Sequence, residues 1–585
     1  MNSKNIKHIV MAALVGCGLA AATTACTDTW DDHYEGSASG VSGSSLWSAI
    51  QSNPDLSNFR SVVEACGYDK RLASSQVFTV FAPVNDQFSA AEAQALITQY
   101  KTTAATGVRD DDNPVVKEFL QNHIALYNHS VSQALSDSSI VMMNGKYQKL
   151  GYSVFGTTQL LTRSQPYANG LLYTIDKRAT FFPNVFEYLE KDAELDSVRS
   201  FLYNPLHYQL EFQEEESVEG GLDSLGRTVY LDSVFRQKNE LFSILNARIN
   251  SEDSTYWMLA PTNTEWKRMV DEYTNYFVYE PAVKDMLLEG TPDSLVYTNV
   301  RLAIIEGAFF SRTTNTDRML NDSAMSTACV LNYSTRRAFW GADSLHYYQY
   351  MKPLEQPDGV LTGTTDMDCS NGVVKKTSDW KIRPTETFMR ERILECEDIV
   401  RERGKAKRGT DSIETTTPVF VNVTPDNPHY SEISGHSFVE FSQEISTVNH
   451  NVTFNLTNIL SNVPYDIYIV AVPVSARDTT VVGNECAPVK IRFQLAYHLA
   501  DGTPKTEKTT KDVTTERDSV QWLKVADGFT FPVCTYGVSE AEPQATLKVE
   551  TRASSTNVNN GDLTRTMRFD CIVLKPRYDL IPATE

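Results

Sequence analysis

The sequence predicts a multidomain fold: two α+β domains in tandem, then an all-β antiparallel sandwich of jelly-roll type. Three observations predict it. At 585 residues the chain exceeds a single domain, and 41% hydrophobic content lets each part bury a core. An apolar strand ending in Ala-Pro with Asn two residues on occurs twice, at Phe78–Asn85 and Tyr256–Asn263. Beyond residue 418, short strands separated by turn residues replace the helical pattern.

The N-terminus reads as an export leader, residues 1–25. Lys4 and Lys7 precede an apolar run of 14 residues, Ile9–Ala22, too short to span a bilayer comfortably. Ala22-Thr23-Thr24-Ala25-Cys26 resembles a bacterial lipobox, although Thr23 stands where leucine is usual. That resemblance implies lipidation at Cys26, and several acyl chains on one residue anchor stably. The other reading is a secretory leader followed by a chance cysteine. Residues 26–44 form a tether, first acidic (Asp28 to Glu35) and then Gly/Ser-rich. The acidic run resembles the surface-export signal of lipoproteins in glycan-foraging Gram-negative anaerobes, which implies the outer membrane, facing the exterior.

In the first domain, residues 45–190, Leu46, Trp47, Ile50, Leu56, Phe59, Val62 and Val63 recur at helical spacing, interrupted by Asn53-Pro54-Asp55. Val77–Pro83 is a buried strand, and Asn85-Asp86 turns the chain. Phe78–Phe88, Leu120–Ile124, Asn144-Gly145 and Asn169–Lys177 resemble, in order, the opening signature, central segment, hairpin and closing signature of the fasciclin domain. The resemblance implies an α+β fold and a binding or adhesive role. In the family's adhesion proteins a Tyr-His pair of the central segment is implicated in receptor binding. Here Asn122-His123 occupies it, leaving His123 as a candidate binding residue or a buried, partnered histidine.

The second domain, residues 191–400, is a divergent fasciclin-like copy. Tyr256–Trp266 parallels Phe78–Phe88, Leu241–Leu245 resembles the opening helix, and Ser370–Lys376 parallels the closing signature. Asn85 and Asn169 lie 84 positions apart, against 108 for Asn263 and Asn371, so this copy carries about 24 extra residues. They are expected around Phe339-Trp340 and Tyr347–Tyr350. Glu306 stands where histidine is expected.

Residues 401–418 read as a charged, polar linker, and 419–585 as the sandwich. Trp522, Phe529, Phe531 and Tyr536 are candidates for stacking on sugar rings, or else sandwich core.

A formal charge of −21 argues against nucleic acid as a partner. Cys66, Cys329, Cys369, Cys396, Cys486, Cys534 and Cys571 contain no CxxC pair, which excludes a zinc ribbon by sequence, and burial as small apolar groups is expected. HExxH, GxSxG, Walker and EF-hand patterns are missing, so no enzyme, cofactor or metal is expected. The acidic loop Val108–Asn113 is a calcium candidate by charge but lacks alternating ligand spacing, and so reads as a solvated loop. Asp-Ser-apolar triplets at Ser197, Ser224, Ser233, Ser294, Ser323, Ser344, Ser412 and Ser519 resemble an O-glycosylation acceptor of exported proteins in the same bacterial group; helix capping is the alternative. Two functions are expected from these features. One is a non-catalytic surface lipoprotein binding glycan or protein, accessory to adhesion or nutrient capture. The other is a structural subunit packing on an outer-membrane glycan-import complex, with no ligand of its own.

Overall fold

The computed structural model describes residues 43–133, 137–205, 207–222, 228–283, 294–312, 325–329, 354–408, 411–443, 448–508, 511–539 and 544–581. The leader, Cys26 and most of the tether lie outside them, as do Ser224, Ser323, Ser344 and the aromatic stretch 339–350. The chain divides into two compact units, Met1–Phe182 and Pro183–Glu585.

In the first unit the helical spacing forms α1 (Leu46–Ser52) and α2 (Ser57–Ala65). Ser45 Oγ accepts from Ser48 N (3.2 Å) to start α1, and the Asn53-Pro54 step ends it, because proline at the first turn donates no hydrogen bond backwards. β1 (Phe78–Pro83) is buried along its whole length. Its alternation serves two layers. Phe78, Val80 and Ala82 pack with the helical layer, including α3 (Ala90–Ala104), whose N-terminus is closed by the Ser89–Glu92 capping box. Phe81 faces the other way and stacks on Phe155 at 3.8 Å, from a small four-stranded sheet within residues 138–159. β1 pairs antiparallel with β2 (Ile124–Leu126) and parallel with β4 (Gly170–Ile175), which pairs with β3 (Gln165–Tyr167), giving the order β2-β1-β4-β3.

The second unit begins with the same plan. α4 (Val185–Tyr188) and α5 (Asp196–Leu202) precede β7 (Tyr256–Pro261), α6 (Asn263–Tyr273), α7 (Leu295–Ile305), β8 (Phe309–Ser311), β9 (Thr365–Cys369) and β10 (Gly372–Thr377). Their sheet runs β8-β7-β10-β9. Tyr256 lies opposite Gly372 in the parallel pair, as Phe78 lies opposite Gly170. Between α5 and β7 comes a long hairpin, β5 (Tyr208–Leu222) and β6 (Thr228–Asn239). This places extra chain ahead of the Ala-Pro strand, outside the interval in which the asparagine spacing locates it. The hairpin also corrects the opening of the copy: Leu241–Ile244 follows it, and α4 and α5 take the positions of α1 and α2.

Two asparagines hold each copy together. Asn169 accepts from Leu46 N (2.8 Å) and donates to the carbonyls of Leu72 (2.9 Å) and Ser74 (2.8 Å). Asn371 repeats this with Val185 N, Ile249 O and Ser251 O, each at 2.8 Å. Asn85 accepts from Asn58 N and donates to Pro54 O; Asn263 accepts from Ser197 N and donates to Ala193 O. The glycine after each closing asparagine is required. A Cβ on Gly170 (φ +144°) would lie 1.8 Å from Phe78 O, and one on Gly372 (φ +149°) 1.9 Å from Tyr256 O.

The C-terminal part forms two six-stranded sheets whose named pairs are all antiparallel. One runs β13 (Thr416–Asn422), β14 (Ser437–Gln443), β21 (Met567–Pro576), β16 (Pro464–Ala471), β19 (Gln521–Thr530), with β11 (Arg392–Glu395) also on β21. The other runs β12 (Val400–Arg403), β15 (Asn451–Leu456), β20 (Ala545–Thr551), β17 (Lys490–His498), β18 (Pro504–Lys508), with Val513–Thr514 also on β17. They pack face to face: Phe454 of the second sheet makes edge contacts with Phe441 and Phe569 of the first.

The segment 401–418, read as a linker, instead begins and ends in strands of this sandwich, with a separate two-stranded hairpin between them. Val400–Arg403 pairs with β15, Lys405–Arg408 pairs with Asp411–Glu414, and β13 pairs with β14. The charges that suggested a linker lie on outer strands, where solvated side chains are expected. Nor does the chain divide at residue 400. One apolar cluster continues from Val185 through the second copy to Leu574. At the junction Tyr279 Oη donates to Tyr536 O (2.8 Å), Asn299 donates to Tyr279 Oη (2.8 Å), and His498 meets Glu280.

Candidate functional site

The four aromatic candidates of the sandwich are not brought together. β19 alternates, with Trp522 and Lys524 outward and Leu523 and Val525 inward. A bulge near Tyr465–Tyr468 then shifts the register. Phe531 is 1% exposed and packs among Phe529, Tyr497 and Tyr465 as core. Phe529 leans on Tyr497, with centroids 5.2 Å apart. Tyr536 belongs to the junction with the second copy, packed against Phe277 and beneath Arg392.

Trp522 alone faces solvent, at 39% exposure. It sits on the edge strand β19, with its ring edge-on to Tyr468 of β16 (centroids 5.8 Å). Lys524 Nζ lies 5.5 Å above the Tyr468 ring and pairs with Asp466 (3.4 Å) and Asp527 (2.6 Å). Asp466 also accepts from Gly528 N (2.9 Å) and Arg577 (3.4 Å). The Asp466 carboxyl lies below its usual pKa: partial burial opposes this, but the Gly528 amide and the cations outweigh it. Farther in, Val470 and Val573 of the same face are covered by Met325, Cys329 and Ile393. What remains open is a strip of indole, phenol, ammonium and carboxylate. Such a strip stacks on an apolar ring face while hydrogen-bonding to its hydroxyl edge.

His123 is a structural residue of the first unit. It is fully buried, accepts from Ala179 N at Nε2 (3.0 Å) and donates from Nδ1 to Phe119 O (2.7 Å), which fixes a neutral tautomer. Burial lowers its pKa to about 4. The second copy has no counterpart histidine. Val80 pairs with Ile124 and Met258 with Phe309, so the residue matching His123 is Ala308, and Glu306 matches Gln121.

One constellation has the connectivity of a hydrolytic triad. His429 lies 3.0 Å from Ser475 Oγ through Nε2 and 2.7 Å from Glu432 through Nδ1. Ser475, however, is 2% exposed and donates its single proton to Asp518 (2.5 Å). His429 Nε2 can then only donate to Ser475, the reverse of what a general base does. The group clasps loops instead.

The carboxylates of the acidic loop are partnered: Asp112 with Arg109 of the loop itself, Asp111 with Arg71 and Asp110 with Tyr100. The seven described cysteines are free thiols, six buried and Cys369 half-buried. Ser294 Oγ caps α7 by accepting from Tyr297 N (3.3 Å), and Ser197 sits in the first turn of α5. Ser519 donates to Glu516 (2.7 Å), while Ser233 and Ser412 lie in strands of hairpins. No helix among the described residues is long and apolar enough to cross a membrane.

Residues 54–178 match the family model of the fasciclin domain. No curated protein matches the chain. Among solved structures, a FAS1 domain pair from the insect cell adhesion molecule Fasciclin I is 13% identical, covering 57% of this chain and 98% of that one, with a TM-score of 0.18. The C-terminal family 22 carbohydrate-binding module of Clostridium thermocellum Xyn10B is 12% identical over 33% of this chain and 95% of that one, with a TM-score of 0.20. A family 11 carbohydrate-binding module from the same organism, in complex with a mixed-linked tetrasaccharide, is 14% identical over 32% and 95%, with a TM-score of 0.18. At these scores the fold rests on the register and hydrogen bonds above.

Proposed function

Starting from a chain that carries a fasciclin domain at residues 54–178, we propose a non-catalytic binding protein held by lipid on Cys26 at the outer membrane, facing the exterior. Its ligand is glycan, taken at the edge of the sandwich, in an accessory role to adhesion or nutrient capture. The observation that carries the glycan reading is the solvent-facing Trp522, edge-on to Tyr468 and beside Lys524. A part-exposed indole within a hydrogen-bonding strip suits a polyhydroxylated ring. The leader, the small residues before Cys26 and the acidic run behind it support the anchoring.

A glycan array probed with the chain lacking residues 1–25 tests this reading. Binding to a saccharide set is expected, with Trp522→Ala weakening it about tenfold or more at unchanged melting temperature, since stacking on one aromatic is worth on the order of 1–2 kcal/mol. Silence across the array, or a Trp522→Ala variant that binds as the parent does, would overturn it. Membrane fractionation tests the anchor: Cys26→Ala is expected to release the chain.

The second reading, a structural subunit of an outer-membrane glycan-import complex, is favoured by one feature. The inserted hairpin exposes Leu210 (58%), Phe212 (37%) and Phe235 (46%), its two phenyl rings 5.4 Å apart. Co-purification of a membrane partner that is lost when Phe212 and Phe235 become serine supports that reading.

A further inference from the structure

β19 does not keep step with β16. From Lys524 to Ala526 it advances two residues while β16 advances one, from Tyr468 to Ile467. From Ala526 to Phe529 it advances three while β16 advances two, from Ile467 to Tyr465. Each extra residue is a bulge, and bulges re-aim side chains. In a regular strand Lys524 and Asp527, three apart, would point to opposite faces. Here Lys524 Nζ lies 2.6 Å from Asp527 Oδ1, so Asp527 joins the strip that begins at Trp522. Gly528 N, next along, donates to Asp466 Oδ1 (2.9 Å) and holds the bulged chain against β16.

The cations of this strip are matched by carboxylates. Asp466 accepts from Gly528 N and Arg577 (3.4 Å) at Oδ1 and from Lys524 (3.4 Å) at Oδ2. Arg577 turns its other nitrogens to Asp579 (2.9 and 2.8 Å). Lys575 lies opposite Asp466 in the ladder, and close enough to Glu391 to oppose the rise that burial gives the Glu391 pKa. Lys524, Arg577 and Lys575 therefore face Asp466, Asp527 and Asp579, with Glu391 as a further, buried acid. Among the described residues no cation of the strip is in surplus. The open acceptor is Asp527, whose side chain is 68% exposed. Lys524 and Arg577 (3.5 Å) both meet its Oδ1, and among the described residues nothing donates to its Oδ2.

A sugar hydroxyl suits that oxygen, and a carboxylate or sulfate does not. The hydroxyl donates to Oδ2 while the ring face lies on the indole. An anionic group placed there meets a like charge, and the cations that would attract it already have partners. The chain's formal charge of −21 adds to the repulsion. We infer, on the reading that Trp522 stacks on glycan, that this subsite takes sugar rings free of carboxylate and sulfate and rejects anionic rings, and that Asp527 sets the choice.

The test probes the chain lacking residues 1–25 with paired oligosaccharides: uncharged hexose chains, and the same chains carrying uronate or sulfate groups. Uncharged members should bind at least about tenfold tighter in about 0.02 M salt, and the gap should narrow in about 0.5 M salt as screening weakens the repulsion. Asp527→Asn keeps an acceptor oxygen and drops the charge. It should hold uncharged binding within about threefold of the parent while the gap narrows. Asp527→Lys should reverse the preference, so that uronate or sulfate members bind above their uncharged partners. Asp527 is exposed, so both variants should melt as the parent does. Tighter parental binding to the anionic members would sink this inference, as would an Asp527→Lys preference equal to the parent's. In either case a Trp522→Ala loss would still uphold the glycan reading. A reversal in Asp527→Lys that survives Trp522→Ala would place the charge selection on another surface and overturn the inference. Silence on every member, charged or uncharged, would remove the glycan reading and this inference together.

Discussion

The two copies of the four-stranded sheet share a register and differ in what surrounds it. Each keeps its closing Asn-Gly and the Asn beyond its Ala-Pro strand, and these asparagines bind the same backbone groups in both. Around that frame the first copy completes its own core, with the small sheet on Phe81 and His123 joining the central segment to Ala179. The second has Ala308 in place of that histidine, gains a hairpin, and continues into the sandwich through one apolar cluster. The lesson is that backbone-binding asparagines, which no apolar residue can replace, define this sheet, whereas its packing surfaces are free to acquire new neighbours.

The largest effects should come from those asparagines. Asn169→Ala or Asn371→Ala leaves a buried amide and two carbonyls without partners, a loss of about 3–4 kcal/mol. In a calorimetric melt, Asn169→Ala should lower the transition of the first unit alone. Asn371→Ala should lower the second, and the sandwich should melt with it as one transition. A sandwich that kept its melting temperature in Asn371→Ala would break the claim that the second copy and the sandwich share a core.

Acid and base should then separate the units by slope. His123 has a folded pKa of about 4 against 6.5 unfolded, so the unfolded chain takes the proton first. Its contribution is complete above pH 6.5 and is lost as pH falls toward 4, by about 3 kcal/mol. In the second unit, burial raises Glu391 from 4.5 to about 7, and here the folded chain holds the proton longer. Stability therefore declines as pH rises from 4.5 to 7, by about 2–3 kcal/mol. Melts from pH 4 to 8 check both: the deficit of His123→Gln should shrink toward acid, and the advantage of Glu391→Gln should grow toward neutrality. Flat difference curves would mean that the two groups are solvated.

The frame was legible because its residues act locally. Phe78–Pro83 is apolar on both faces and ends at proline, and Asn169-Gly170 sits where a side-chain amide and a left-handed backbone are both needed. Less legible was anything decided by pairing across the chain. Glu306 and Ala308 lie two positions apart, an offset that no side chain marks, and only the pairing of Met258 with Phe309 resolves it. Arg401–Arg408 is charged because its strands are outer ones, and charge alone reads as linker. Strand alternation puts Trp522 and Phe531 on opposite faces, but does not say which face is inside. Glu395, Asp570 and Cys571 meet only because β11 pairs with β21.

The smallest effect concerns the Asp-Ser triplets, where a sequence pattern admits two physical meanings. At Ser294 the hydroxyl accepts from Tyr297 N and begins α7, the helix that leads through Ala308 into β8 and supplies Asn299 to the junction. If capping is its role, Ser294→Ala should lower the second unit's stability by about 1 kcal/mol, and Ser294→Asp should restore it, because aspartate caps as well and suits the helix N-terminus. The first copy offers the control, since Ser45 caps α1 by the same geometry without a preceding aspartate. A Ser45→Ala loss equal to that of Ser294→Ala would assign the Ser294 triplet to helix initiation. A Ser294→Ala variant that melts as the parent does, with a glycan mass on the peptide from native material, would assign it to modification.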